Sequence, residues 1–183
     1  MEKVRLFFKG IAEPTILSDM ALVVLVDEEN KRSISFICDG TMKQQFAMRR
    51  QHPHDCKRFL PEVMAMMLMQ TAPPGHFEIL ITDLKAGVYQ TKVHNLFSDA
   101  EMDIRLSDAV MLSQICHLPM FIDRELMDRQ SAPYTGEEQM MVPINVVSNE
   151  ILQAELDKAV QEENYRLASY IQQELQKRKD QQE

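Results

Sequence analysis

Glycine and proline are scarce, at 5 and 8 of 183 residues, which excludes collagen-like and low-complexity classes. No apolar run approaches the roughly 18 residues that span a bilayer, so no membrane partner is expected. The segment Met1 to Lys9 (MEKVRLFFK) has no long apolar stretch and no small-residue cleavage site, and is expected not to be a signal peptide. Cysteine is also rare. Cys38, Cys56 and Cys116 form no C-x-x-C, and an odd number cannot all pair within one chain. That points to a reducing, cytoplasmic setting rather than a disulfide framework. G-x-S-x-G and G-x-x-x-x-G-K are absent too, which removes the serine-nucleophile elbow and the phosphate-binding loop.

What remains is 45% hydrophobic and 26% charged, enough for one main domain and a small appendage. The net charge of −8 is uneven: residues 1–130 balance at −3 and residues 131–183 at −5. A net-acidic chain does not grip a nucleic-acid backbone over a broad face, because that affinity comes from Lys and Arg displacing counterions. Any contact must be local. Lys43, Arg49, Arg50, Lys57 and Arg58 against Asp55 make residues 41–60 the candidate, although a solvated helix face explains the cluster as well.

The first half reads as strands joined by short turns. The run Ala21 to Val26 (ALVVLV) and the alternation Ser33 to Ile37 look like a hairpin. Asp39-Gly40-Thr41 opens a helix with Met42 and Phe46 on one face, stopped by Pro53. A second helix starts at Pro61, a residue suited to a first turn. Its run Val63 to Met69 is apolar all round, which predicts deep burial; a pliable methionine-rich groove is the other reading. Ala72-Pro73-Pro74-Gly75 ends it. Phe77 to Thr82, Val88 to Phe97 and Glu101 to Leu106 form a meander, and Ser107 caps a helix running from Asp108 to His117. Pro119 to Ile122 returns as a short strand. Hairpins with inserted helices argue for an α+β fold, a mainly antiparallel sheet with buried helices.

Residues 131–147 are polar and breaker-rich, a linker. From Ser148 onward there is no Gly or Pro. Leu152, Leu156, Ala159 and Val160 mark one apolar face; Tyr165, Ala168, Ile171 and Leu175 mark another, with the phase shifting at Glu163-Asn164. A C-terminal α-helical hairpin over 148–183 explains this better than one rod. A hairpin that small buries too little to stand alone, so it should dock on the main domain, on a copy of itself as a homo-oligomer, or on a protein partner.

Asp103-x-Arg105-Leu106-Ser107-Asp108-Ala109-Val110, followed by Leu118-Pro119-Met120-Phe121-Ile122, resembles the D-x-R-P-S-D-A-I signature and A-P-I-F-V strand of the bifunctional nuclease domain family. Val88-Tyr89-Gln90-Thr91 looks like the strand preceding them. The resemblance covers about residues 1–130. Leu156 to Leu175 is similar to the UVR motif, a helical hairpin shared by excinuclease subunits B and C. The family implies a nuclease acting on DNA or RNA with a divalent metal, Mg or Mn. This chain departs from it. Leu106 replaces the signature proline, Ile37 to Met42 lacks the Glu of an early motif, and Arg58 to Val63 lacks a His and an Asp. In the tail, Gln172-Gln173 replaces an Arg-Asp pair. The implied protein is a divergent or inactive nuclease; the alternative is a non-catalytic adaptor whose hairpin binds a protein partner.

A metal-dependent nuclease needs clustered carboxylates. Glu101, Asp103 and Arg105 alternate along one predicted strand, and Asp108 follows at a helix start. Read this way, Glu101, Asp103 and Asp108 hold metal, while Asp103, Arg105 and Asp108 are catalytic, with Arg105 placed for phosphate. The same residues could form the wet face of a strand, with Arg105 bracing the strand–helix corner against Asp103 or Asp108. His52-x-His54-Asp55-Cys56 has metal-compatible spacing but no second ligand set, and reads equally as a polar loop.

Overall fold

The computed structural model describes residues 2–14, 20–71, 74–136, 139–140 and 143–180. The fold is α+β. In chain order the sheet is built from β1 (Lys3–Pro14), β2 (Ala21–Asp27), β3 (Arg32–Cys38), β4 (Phe77–Lys85), β5 (Val88–Asn95), β6 (Ala100–Ile104), β7 (Met120–Asp123) and the two-residue β8 (Ala132–Pro133). Their spatial order is β6-β5-β4-β7-β1-β2-β3-β8, with β9 (Gln139–Met140) beside the end of β1. Pairing is antiparallel except between β4 and β7 and between β1 and β9. The helices are α1 (Gly40–Gln51), α2 (Leu60–Thr71), α3 (Leu106–Cys116), α4 (Arg124–Gln130), α5 (Asn149–Gln161) and α6 (Tyr165–Asp180).

The two faces of β2 enter different cores. Ala21, Val23 and Leu25 join β4, β5, α1 and α3 in the main core, where Met42 and Phe46 of α1 and Leu106, Ala109 and Val110 of α3 are buried. Leu22, Val24 and Val26 pack instead with Ala12, Ile37 and Tyr134. Each such fully buried aliphatic side chain contributes roughly 1.5–3 kcal/mol. The helix expected to open at Asp39-Gly40-Thr41 is α1, and its N-cap is Asp39, whose carboxylate accepts the Met42 N–H at 2.8 Å. The β2–β3 turn is tied by Asp27, which accepts the Lys31 and Arg32 N–H groups; Arg32 then reaches Asp128 of α4. Burial raises the Asp27 carboxyl, but those N–H donors and the Arg32 guanidinium outweigh it and hold it below its usual range.

Four expectations need correction. β1, a central strand, is absent from the sequence reading, and so is α4. Ser107 is not a cap: it lies inside the first turn of α3, whose N-cap position is Arg105 with no side-chain cap bond. α2 is not deeply buried. Ala65 is its one fully buried residue among those whose burial is described, while Leu60, Met64, Met66, Met67 and Met69 stand 40–72% exposed. α2 ends at Thr71; of the predicted stop, Ala72 and Pro73 lie outside the described residues.

The tail is a helical pair, turning at Glu163, whose φ of 56° opens the reversal. Ser148 caps α5 by accepting the Ile151 N–H. Val147, Leu152 and Ile171 pack with Met20 and Ile37, which docks the pair on the sheet. Arg178, 8% exposed, locks the tail to its own approach segment. It donates to the Val147 and Ile144 carbonyls and to Asn149 and Glu174. Ala86 and Gly87 form the two-residue β4–β5 turn with φ of 49° and 80°, matching the twist of the strands. A Cβ on Gly87 would sit 2.1 Å from the Val147 carbonyl oxygen. Gly87→Ala should therefore lose at least about 1–2 kcal/mol from the left-handed backbone alone. The clash adds to that, and a lower midpoint in denaturant titration measures it.

Candidate functional site

The site is built where β6 hands over to α3. β6 pairs with β5 so that Glu101 lies opposite His94 and Asp103 opposite Lys92. Directly opposed residues share a face, so Glu101 and Asp103 project on the polar side with Lys92 and His94. Tyr89, Thr91 and Val93 point the other way, into the core. Lys92 bonds Glu101. Arg105, at the corner, grips Asp108 with two bonds, Nε at 2.7 Å and a terminal nitrogen at 3.2 Å. The Asp108 bond, then its charge, raises the guanidinium pKa, and Asp39 across the gap adds to it.

The predicted catalytic set is therefore only partly gathered. Asp103 and Arg105 line one cleft of about 720 Å³, within the range of small-ligand sites. Glu101 is drawn to Lys92, and Asp108 is engaged by Arg105. Among the described residues, no group of three or more His, Cys, Asp or Glu is placed to hold a metal ion. The donor set Glu101, Asp103 and Asp108 does not form a metal cage, and His52, His54 and Cys56 form none either. Cys56 is buried, with its Sγ 3.5 Å from the His52 carbonyl.

Several of the cleft's residues were not among the sequence candidates. Asp39 enters from the start of α1, Tyr89 and Thr91 from β5, and Ser148 and Glu150 from the tail, which forms a wall. The hydroxyls of Tyr89 and Thr91 are buried without a hydrogen-bond partner within the described structure, and each such group costs free energy until something pairs with it. Burial pushes the Tyr89 hydroxyl pKa well up. It also pushes the Cys38 thiol, another lining group, up to about 11, so Cys38 is no thiolate nucleophile. The alternation of Tyr89 and Thr91 was visible in the sequence, but their cleft position depends on where the tail docks.

The basic cluster divides as well. Arg49 is a brace: its guanidinium meets Glu62 of α2 at 2.7 and 2.9 Å and lies 6.0 Å over Phe59. Lys57 and Arg58 are exposed in a 3-10 turn, Asp55–Arg58. Lys43, Arg49 and Arg50 line a groove of about 960 Å³ between β1, α1 and α3, joined by Lys9, which sequence reasoning missed; Glu62 is the groove's carboxylate.

With this geometry in place, the family model of the bifunctional nuclease domain matches residues 23–135. The match takes in the strand–helix corner and most of the cleft. The chain belongs to the bifunctional nuclease domain family. No curated protein matches it.

Beside the cleft, on the polar face, His94 bridges buried Glu78 at 3.2 Å and Asp99 at 2.9 Å, and Lys3 also holds Glu78. The Asp99 bond, then the Glu78 bond, raises the His94 pKa above its usual 6.5. Burial raises Glu78, but Lys3 and His94 outweigh it and hold it low. The His94 contribution is complete below the ordinary imidazole pKa and is lost as pH rises through the raised one. Melting temperature should fall as pH climbs from about 6.5, and His94→Gln should flatten that slope. Glu78 and Asp27 act in the opposite direction, their contribution disappearing on acidification below the ordinary carboxylate pKa. A pH series of thermal melts reads both limbs.

Proposed function

We propose that this chain is a divergent nucleic-acid phosphodiesterase of the bifunctional nuclease type, acting at the cleft between the β6–α3 corner and the tail. The observation that carries this is the coincidence of the family's span with a cleft lined by Asp103 and Arg105. Arg105, whose side chain is 73% exposed, exchanges one carboxylate oxygen of Asp108 for a phosphate oxygen. Asp103 accepts a proton from the attacking water. The cleft itself is acidic, since Asp39, Asp103 and Glu150 outnumber Arg105. The strand is therefore held elsewhere, along the groove of Lys9, Lys43 and Arg50, with Arg50 in the last turn of α1 about 16 Å along the helix from Asp39. No step is assigned to a metal, because the residues present form no cage for one; Mg2+ and Mn2+ enter as arms of the test.

The test is incubation of the full-length chain with single- and double-stranded DNA and RNA, with and without Mg2+ or Mn2+. Cleavage should fall about 100-fold or more in Asp103→Ala, the scale of a lost proton acceptor, and strongly in Arg105→Ala. Cleavage unchanged in both Asp103→Ala and Asp108→Ala would remove the site.

A second reading, in which the 148–183 hairpin is a UVR-like docking module for a protein partner, is favoured by one feature. Arg178 fixes the pair while Val160, Tyr165 and Tyr170 remain exposed. Under that reading the chain cleaves nothing, and Tyr165→Ser with Tyr170→Ser abolishes partner capture without lowering the melting temperature. A cytoplasmic site of action accords with three buried, free cysteines; among the described residues, no helix is long and apolar enough to cross a membrane.

A further inference from the structure

Helix α2 presents a contradiction between its sequence and its surroundings. A helix that is apolar on every side belongs in a core, yet only its Ala65 side is closed off, with Leu68 packed against the same core. Leu60, Met64, Met66 and Met69 stand 72%, 54%, 51% and 40% exposed, and Met67 is 59% exposed. Outside the helix, His76 stacks on Phe97 at 5.8 Å and its carbonyl accepts the Leu96 N–H, with Phe97 84% exposed. Monomers rarely show contiguous apolar patches beyond about 300–600 Å².

The chemistry of the face narrows what covers it. Glu62 is the one charged residue of α2, and it is held by Arg49. A nucleic acid or a charged peptide finds nothing there to pair with. An apolar protein surface does, and flexible methionines pack well against such surfaces. We propose that the occupant is a second copy of this chain, with α2 lying antiparallel on α2 across a two-fold axis near Met64. In that arrangement Leu60 of one copy packs beside the C-terminal half of the other helix. The geometry is also electrostatically matched. Exposed Lys57 and Arg58 precede the N-terminus of α2. Antiparallel pairing sets each basic end against the helix C-terminus of the other copy. Leu60, Met64 and Met67, spaced i, i+4 and i+7 on one stripe, supply the apolar centre of that contact. This self-association is independent of the hairpin and of any cleavage at the cleft.

The test is sedimentation of the full-length chain and three samples of variants. The wild type should be dimeric at micromolar concentration. Met64→Glu sets two carboxylates against each other at the axis and should weaken self-association about 30-fold or more, the scale of a central interface residue. Its thermal melt, adjusted for the lost dimer, should stay cooperative, because Met64 is half exposed. Met64→Lys alone should be monomeric too, and mixing it with Met64→Glu should restore a dimer, since each lysine then faces a glutamate. That rescue separates a two-fold contact from mere damage. A wild-type chain that stays monomeric at its highest soluble concentration would overturn the proposal and leave the face to a different protein. A dimer that survives Met64→Glu, or a mixture that does not reassociate, would overturn it as well.

Discussion

Strand β2 cannot have a wet side. Every residue from Ala21 to Asp27 is buried, so the sheet needs cover on both faces along this strand. Helices α1 and α3 close one face through Met42, Phe46 and Val110. The other, on which Ala12 and Ile37 flank Leu22 in the neighbouring strands, is closed by Tyr134 and then by the tail, which packs on Ile37 and Met20. From this requirement follows the position of the C-terminal pair: it is a lid on the sheet, fastened by Arg178 and seated against Gly87. The lid reaches the β6–α3 corner at one end, and the gap left between them is the cleft. A covering demand from one strand thus produces a concavity two elements away.

That dependence explains what could be read from the chain and what could not. Patterns that report local geometry were legible. The continuous apolar run of β2, the alternation of β3, the helix opening at Asp39-Gly40-Thr41 and the phase change near Glu163 all describe a residue and its neighbours within a turn or two. β1 was not legible, because Phe7-Phe8-Lys9-Gly10 breaks the alternation where the register with β2 jumps between Phe8 and Gly10; a bulge scrambles the period by design. Ser107 looked like a cap by residue type, but Leu106 is buried and the helix starts two residues earlier. Of the site, Asp103, Arg105 and Asp108 were legible as a constellation. Asp39, Tyr89, Thr91, Ser148 and Glu150 were not, because they come together only through long-range packing.

Charge followed the same rule. The run from Lys43 to Arg58 reads as one basic patch on paper, yet folding assigns its members different tasks. Arg49 turns inward to Glu62 and Phe59, linking α1 to α2. Lys43 and Arg50 face a groove that Lys9 completes from a distant strand. Helix α1 therefore carries a polarity of its own, with the carboxylate of Asp39 at the cleft and cations toward its other end. That is favourable for the helix, whose N-terminus prefers negative and C-terminus positive charge. It is also the arrangement a polyanion needs if it is to be held at one end and acted on at the other.

The exposed methionines of α2 mark where single-chain reasoning stops. Apolarity on all sides predicts burial correctly as a thermodynamic demand, because water is no better a solvent for Met64 in this fold than in any other. What the pattern cannot specify is which surface meets the demand. Inside the described chain, the contacts of α2 with α3 and with the turn before it take up one side, and the geometry of a 3.6-residue period leaves the opposite stripe facing out. The prediction of burial failed for the isolated chain because a hydrophobic demand is satisfied by any apolar surface, including one that belongs to another molecule. The cleft and the methionine face accordingly rest on different features: the first on family span and side-chain geometry, the second on an apolar surface whose helix carries one charged residue, already held by Arg49.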